Sequence, residues 1–148
     1  SGLPLSTQIF SMKKIIFICT GNTARSQMSE GLAKNLAKDK WEVSSAGLKP
    51  KEIVHPYTIL VMKEIGIDIS TQKPKPIDEE LLKQMDIIVT LCEENCPTVP
   101  VDISTYHWSI PDPVIFKGTE AEIITGFRKV RDMIKKEVLE LLKNKKHI

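Results

Sequence analysis

Cys19-Thr20-Gly21-Asn22-Thr23-Ala24-Arg25-Ser26 is the stretch whose residue types and spacing are best suited to chemistry. Cys19 ends an apolar run, Ile15-Ile16-Phe17-Ile18, and Arg25 opens a segment with helical periodicity. Backbone amides of a loop between a strand and a helix can curl into a nest for a tetrahedral oxyanion, helped by the helix N-terminus. Gly21 admits backbone conformations that a Cβ would block. Arg25 can offer a planar pair of donors to two oxygens, and Ser26 can donate to a sulfur anion. The same field favours ionisation of Cys19, because helix termini and cations lower a thiol below its free value of about 8.5. A cysteine ending a buried strand is more often an inert small hydrophobe. The Cys-x5-Arg-Ser spacing at a strand-to-helix turn reverses that reading. Neither G-x-x-x-x-G-K-[ST] nor G-x-G-x-x-G occurs, which disfavours a nucleotide site.

Four more residues could join this chemistry. Asp112, between Ile110-Pro111 and Pro113, could act as a general acid or merely open a turn. His107 is a second candidate, but its neighbours Tyr106 and Trp108 suit an ordinary strand. Cys92 and Cys96 follow a third apolar run, and a zinc site on them and His107 would lack a paired motif to supply a fourth ligand. No metal is therefore expected.

The elements that must position these residues can be read from periodicity. Strands are expected over Lys13–Cys19, Trp41–Ala46, Asp86–Leu91 and Ser104–Trp108. Helices are expected from Arg25 to Lys38, from Pro56 towards Gly66, from Asp78 through Gln84, and from Thr119 to Lys143. The last carries Ile123, Phe127, Val130, Ile134, Val138 and Leu141 on one face. Cys92 to Pro100 reads as a loop or weak helical turn. The alternation implies an α/β domain, a three-layer sandwich around a four-stranded parallel sheet. Right-handed crossovers put the strand ends on one edge, where ligands bind in such folds. Cys19, Cys92 and Asp112 all fall there.

Composition sets outer limits. A chain of 148 residues with 41% hydrophobic and 27% charged side chains is one ordinary domain. Its 21 Lys+Arg against 19 Asp+Glu argue against nucleic acid or a membrane surface as partner. No apolar run is long enough for a membrane span. The odd cysteine count and the lack of an export signal point to a cytoplasmic setting. Ser1 to Ser11 read as a remnant or extension preceding a domain at 12–148.

The Cys19–Ser26 loop, continued by Gln27-Met28-Ser29-Glu30-Gly31, resembles the active-site loop of the low-molecular-weight protein tyrosine phosphatase fold. Gln27 stands where those phosphatases usually have Pro. Gln27-Met28, Ser45-Ala46-Gly47, Asp68-Ile69-Ser70 and Val89-Thr90-Leu91-Cys92 are more similar to its redox branch, the thioredoxin-coupled arsenate reductases. The resemblance covers nearly all of Lys13 to Leu142. It implies that arsenate, with phosphate or sulfate as mimic, binds residues Thr20 to Ser26, that Cys19 attacks arsenic, and that Asp112 assists loss of oxygen. It further implies that Cys92 attacks Cys19 and Cys96 then attacks Cys92, leaving a Cys92–Cys96 disulfide for thioredoxin. Typical members space these two cysteines more widely. On a helix the pair here would have Cα atoms about 6 Å apart, so some unwinding must accompany bond formation.

Some such reductases hold potassium behind the loop. Asn22, Glu30 and Ser45 match contributing positions, and Lys75 aligns with a further acidic one. An ammonium there replaces the metal charge, so potassium activation is expected to be weak or absent, with no tightly bound cofactor. Two other readings share the loop: a phosphatase in which water replaces Cys92, and a non-catalytic oxyanion-binding or redox-sensing module.

Overall fold

The computed structural model describes residues 12–93 and 102–144. Four strands, β1 (Lys13–Cys19), β2 (Trp41–Gly47), β3 (Ile87–Thr90) and β4 (Ser104–His107), form one sheet in the order β2-β1-β3-β4. Every pairing is parallel, with Phe17 opposite both Ser45 and Val89. Four α-helices connect and cover them: α1 (Arg25–Ala37), α2 (Pro56–Glu64), α3 (Glu79–Leu82) and α4 (Glu120–Lys143).

The alternation of β1 decides the layers. Ile15 and Phe17 face the larger core with Met28 and Leu32 of α1, Val61 and Met62 of α2, and Phe127, Val130, Ile134 and Val138 of α4. Ile16 and Ile18 face a smaller core closed by Leu82, Met85 and Ile88. One face thus carries three helices and the other a single-turn helix, which gives the expected three layers. Thr119 starts α4 with a capping box, accepting from Glu122 N–H at 3.2 Å while Glu122 Oε1 accepts from Thr119 N–H at 3.2 Å.

Some boundaries differ from expectation. α3 is one turn rather than a helix from Asp78 to Gln84, although Asp78 does cap it, accepting from Glu80 N–H at 3.0 Å. α1 stops at Ala37 because Lys38 turns left-handed (φ 53°). β4 ends at His107, and Trp108 instead packs on Phe17, rings 5.7 Å apart. Among the described residues no helix is long and apolar enough to cross a membrane. Ser1 to Ser11 lie outside them.

Strand order reverses direction at β1, whose neighbours are β2 on one side and β3 on the other. The crevice at such a switch point opens at the carboxyl ends of the strands. The β1–α1 loop lies there.

Candidate active site

Cys19 is the last residue of β1, and its sulfur is a free thiol only 2% exposed. It nevertheless lines a pocket of about 240 Å³ with Thr20, Gly21, Thr23, Ala24, Arg25 and Asp112. Asn22 N–H donates to Cys19 Sγ at 3.2 Å, and Ser26 Oγ stands 2.9 Å from the sulfur. Asn22 settles the direction of that second bond. Its Oδ1 accepts from Lys75 N–H at 2.9 Å, so its Nδ2 faces Ser26 Oγ at 2.7 Å and Ser45 Oγ at 2.9 Å. With Ser26 Oγ accepting from Asn22, its hydroxyl hydrogen is left for Cys19. The sulfur then accepts from both sides, as a nucleophile held for attack does.

Asn22 takes a left-handed conformation (φ 49°), which Asn tolerates better than most residues. No side chain caps α1 and no acid stands in its first turn. The start of the helix is therefore open to an anion. Beneath it, Gln27 Nε2 donates to Asn22 O at 3.0 Å, and Gln72 Nε2 donates to Gln27 Oε1 at 2.8 Å. Among the described residues no buried side-chain nitrogen or oxygen lacks a partner.

Arg25, 3% exposed, ties the start of α1 to the segments that follow β3 and β4. Its Nη1 donates to Leu91 O at 2.7 Å and to Ile110 O at 3.1 Å. Its Nη2 lies 3.6 Å from Asp112 Oδ2, and Nη1 lies 3.8 Å from Glu93 Oε1. Two carbonyls thus fix one side of the guanidinium and aim the other towards Asp112. Asp112 Oδ1 also accepts from Val114 N–H at 3.1 Å, capping the short turn Pro113–Ile115. Asp112 thus opens the turn and also lines the pocket beside Cys19.

Cys92 is buried just beyond β3 and is disulfide-bonded. It directly follows Leu91, whose carbonyl holds Arg25. Cys96 lies outside the described residues. His107 takes no part in the pocket; its Nδ1 meets Thr90 Oγ1 at 2.8 Å between β3 and β4.

The residues matched to a cation pocket do meet behind the loop. Ser45 Oγ donates to Glu30 Oε1 at 2.6 Å, and Asn22 binds the same Ser45 oxygen. Lys34 Nζ donates to Glu30 Oε2 at 2.5 Å, and Lys75 Nζ stands 3.8 Å from Glu30 Oε1.

Several residues take structural parts in the site that the sequence does not signal. Lys49 and Lys51 line the pocket from the turn after β2. Gln27 and Gln72 brace the loop from below. His55 caps α2, its Nδ1 accepting from Tyr57 N–H at 3.0 Å, while its backbone N–H donates to Thr23 O at 3.0 Å. Burial holds the His55 imidazole below its usual range, and the Asp112 carboxylate opposes that.

The comparisons with known proteins agree with this geometry. A family profile described as low molecular weight phosphotyrosine protein phosphatase matches residues 14–147. An arsenate reductase of Halalkalibacterium halodurans is 46% identical over 129 residues, 85% of this chain and 92% of that protein. A solved arsenate reductase in the phosphate-binding state superposes with a TM-score of 0.76 at 39% identity, covering 88% of this chain and 97% of the other. A thioredoxin-dependent arsenate reductase of Corynebacterium glutamicum superposes with a TM-score of 0.66 at 26% identity, covering 91% and 66%. On the matched length, the loop and the fold together, the chain belongs to the low molecular weight phosphotyrosine protein phosphatase family.

Proposed function

We propose that this protein reduces arsenate to arsenite. One observation carries the reading: a free sulfur held by donors at the end of β1, with a disulfide-bonded sulfur just past the neighbouring strand, next to the Leu91 carbonyl that accepts from Arg25. Ester hydrolysis needs only the first sulfur and water. A two-electron reduction needs a second thiol.

In this reading arsenate occupies the cradle of Thr20 to Ser26 under Arg25. Cys19 sulfur attacks arsenic, an As–S bond forms, and an As–O bond breaks as Asp112 gives a proton to the departing oxygen. Cys92 sulfur then attacks Cys19 sulfur. The S–S bond forms, the S–As bond breaks, and its electron pair stays on arsenic, which leaves as arsenite. Cys96 attacks Cys92 next and releases Cys19. A dithiol protein reductant, thioredoxin by analogy with the Corynebacterium glutamicum relative, reduces the resulting disulfide.

A potassium ion behind the loop does not fit these residues. The Glu30 carboxylate already faces two ammonium groups, Lys34 and Lys75, so a metal cation would meet like charge. No step is assigned to a metal.

The test couples arsenate, thioredoxin, thioredoxin reductase and NADPH, and follows NADPH loss. Cys92→Ser is expected to abolish arsenate turnover while sparing slow hydrolysis of p-nitrophenyl phosphate. Arsenate-dependent oxidation of thioredoxin surviving in Cys92→Ser would overturn the relay.

A further inference from the structure

Lys49 and Lys51 stand on the mouth of the pocket that holds Cys19. The backbone fixes where they start. Lys49 N–H donates to Thr20 O at 2.8 Å and Lys51 N–H donates to Gly21 O at 2.9 Å, so the turn after β2 is laced onto the nucleophile loop. The Lys51 stem runs over Gly21: a Cβ at position 21 would stand 3.3 Å from Lys51 Cγ and 3.7 Å from its Cε. Both lysines are exposed, and among the described residues neither is in an ion pair. Lys14, Lys34, Lys75 and Lys83 each have a carboxylate partner. These two ammonium groups are uncommitted beside the site.

Charge explains why the site would use them. A tetrahedral oxyanion carrying two charges must approach the electron-rich sulfur of Cys19. Arg25 is partly engaged by Leu91 O, Ile110 O, Asp112 and Glu93. One engaged guanidinium is a weak counterweight, and two free ammonium groups make the lining cationic. We propose that Lys49 and Lys51 form a cationic rim that captures the free dianion of a tetrahedral oxyacid and delivers it to the loop. The proposal deepens the reading above, since it rests on the loop being an oxyanion site. The rim supplies charge rather than shape, so arginine should replace lysine and glutamine should not.

The experiment compares reduced wild-type protein with the double variants Lys49→Gln/Lys51→Gln and Lys49→Arg/Lys51→Arg. Binding of inorganic phosphate is measured by calorimetry at low and high salt, followed by arsenate kcat and KM. The glutamine pair is expected to weaken phosphate binding on the order of tenfold at low salt. The difference should shrink at 1 M salt, where the screening length is about 3 Å. The arginine pair should bind like wild type. In the arsenate assay the glutamine pair should raise KM and leave kcat within about twofold, as expected of lost ground-state attraction. Unchanged phosphate affinity in the glutamine pair would sink the proposal, as would a loss of equal size at high salt. A defect confined to the thioredoxin-dependent rate would assign the lysines to docking an acidic protein surface and overturn the rim. If wild type binds phosphate but fails to reduce arsenate, the reduction reading falls, while a weaker glutamine pair would still support the rim.

Discussion

The back and the mouth of the site are built differently. Behind the loop, Asn22, Ser26, Gln27, Glu30 and Ser45 are all buried, and each has a partner within hydrogen-bond distance. At the mouth, Lys49, Lys51 and Ile115 are exposed, Ile115 at 67%, and Asp112 is the only mouth residue tied to Arg25 among those described. Buried polar groups are costly unless satisfied, so a saturated network admits one arrangement. Exposed charges interact weakly and adjust freely. The back therefore fixes geometry around Cys19, and in the function proposed above the mouth supplies charge and a proton.

Asp112→Asn disables the mouth and spares the back, and of the changes that separate the two regions it carries the largest expected effect. The amide keeps an oxygen to accept from Val114 N–H, so the melting temperature should barely move. Loss of the proton donor should lower kcat about 100-fold, read by steady-state kinetics. A normal kcat in the Asp112→Asn variant would remove Asp112 from the chemistry.

Asn22→Ala disables the back instead. It deletes the bonds to Ser26, Ser45 and Lys75 N–H and forces alanine into a left-handed conformation. The expected cost is about 2–3 kcal/mol, or a fall of roughly 5–10 °C in Tm by calorimetry. A misplaced sulfur should lower kcat/KM about tenfold as well. A stable Asn22→Ala protein with full activity would show that the two regions are not divided as described. The smallest effect concerns the cation pocket: replacing sodium by potassium salts at fixed ionic strength should leave turnover unchanged. A large rise would mean that Lys34 and Lys75 yield Glu30 to a metal.

Legibility in the sequence follows the same division. The Cys19–Ser26 loop is readable because strand, turn and helix signals are contiguous there, and α4 because Phe127, Val130, Ile134 and Val138 repeat at helical spacing. Asp112 can be placed at the strand edge, but its 3.6 Å approach to Arg25 depends on tertiary packing. Glu30, Ser45 and Lys75 are linked by resemblance, and the sequence alone has no rule for bringing them to one point. Lys49 and Lys51 send no signal because loop lysines are ordinary surface residues. His55 sends none because histidine is an uncommon helix cap, although Pro56 marks the helix start correctly.

Gly47 has a consequence for selectivity. A methyl at that position would lie 2.8 Å from Thr20 O and 2.9 Å from both Asn22 N and Asn22 Cβ. The cradle therefore rests directly on the backbone of β2, and its radius is inherited from sheet geometry with no adjustable side chain between. Such a seat has no means to sort phosphorus from arsenic by diameter. Discrimination must come after docking, from the readiness of the central atom to accept an electron pair, so phosphate should enter and depart chemically unaltered.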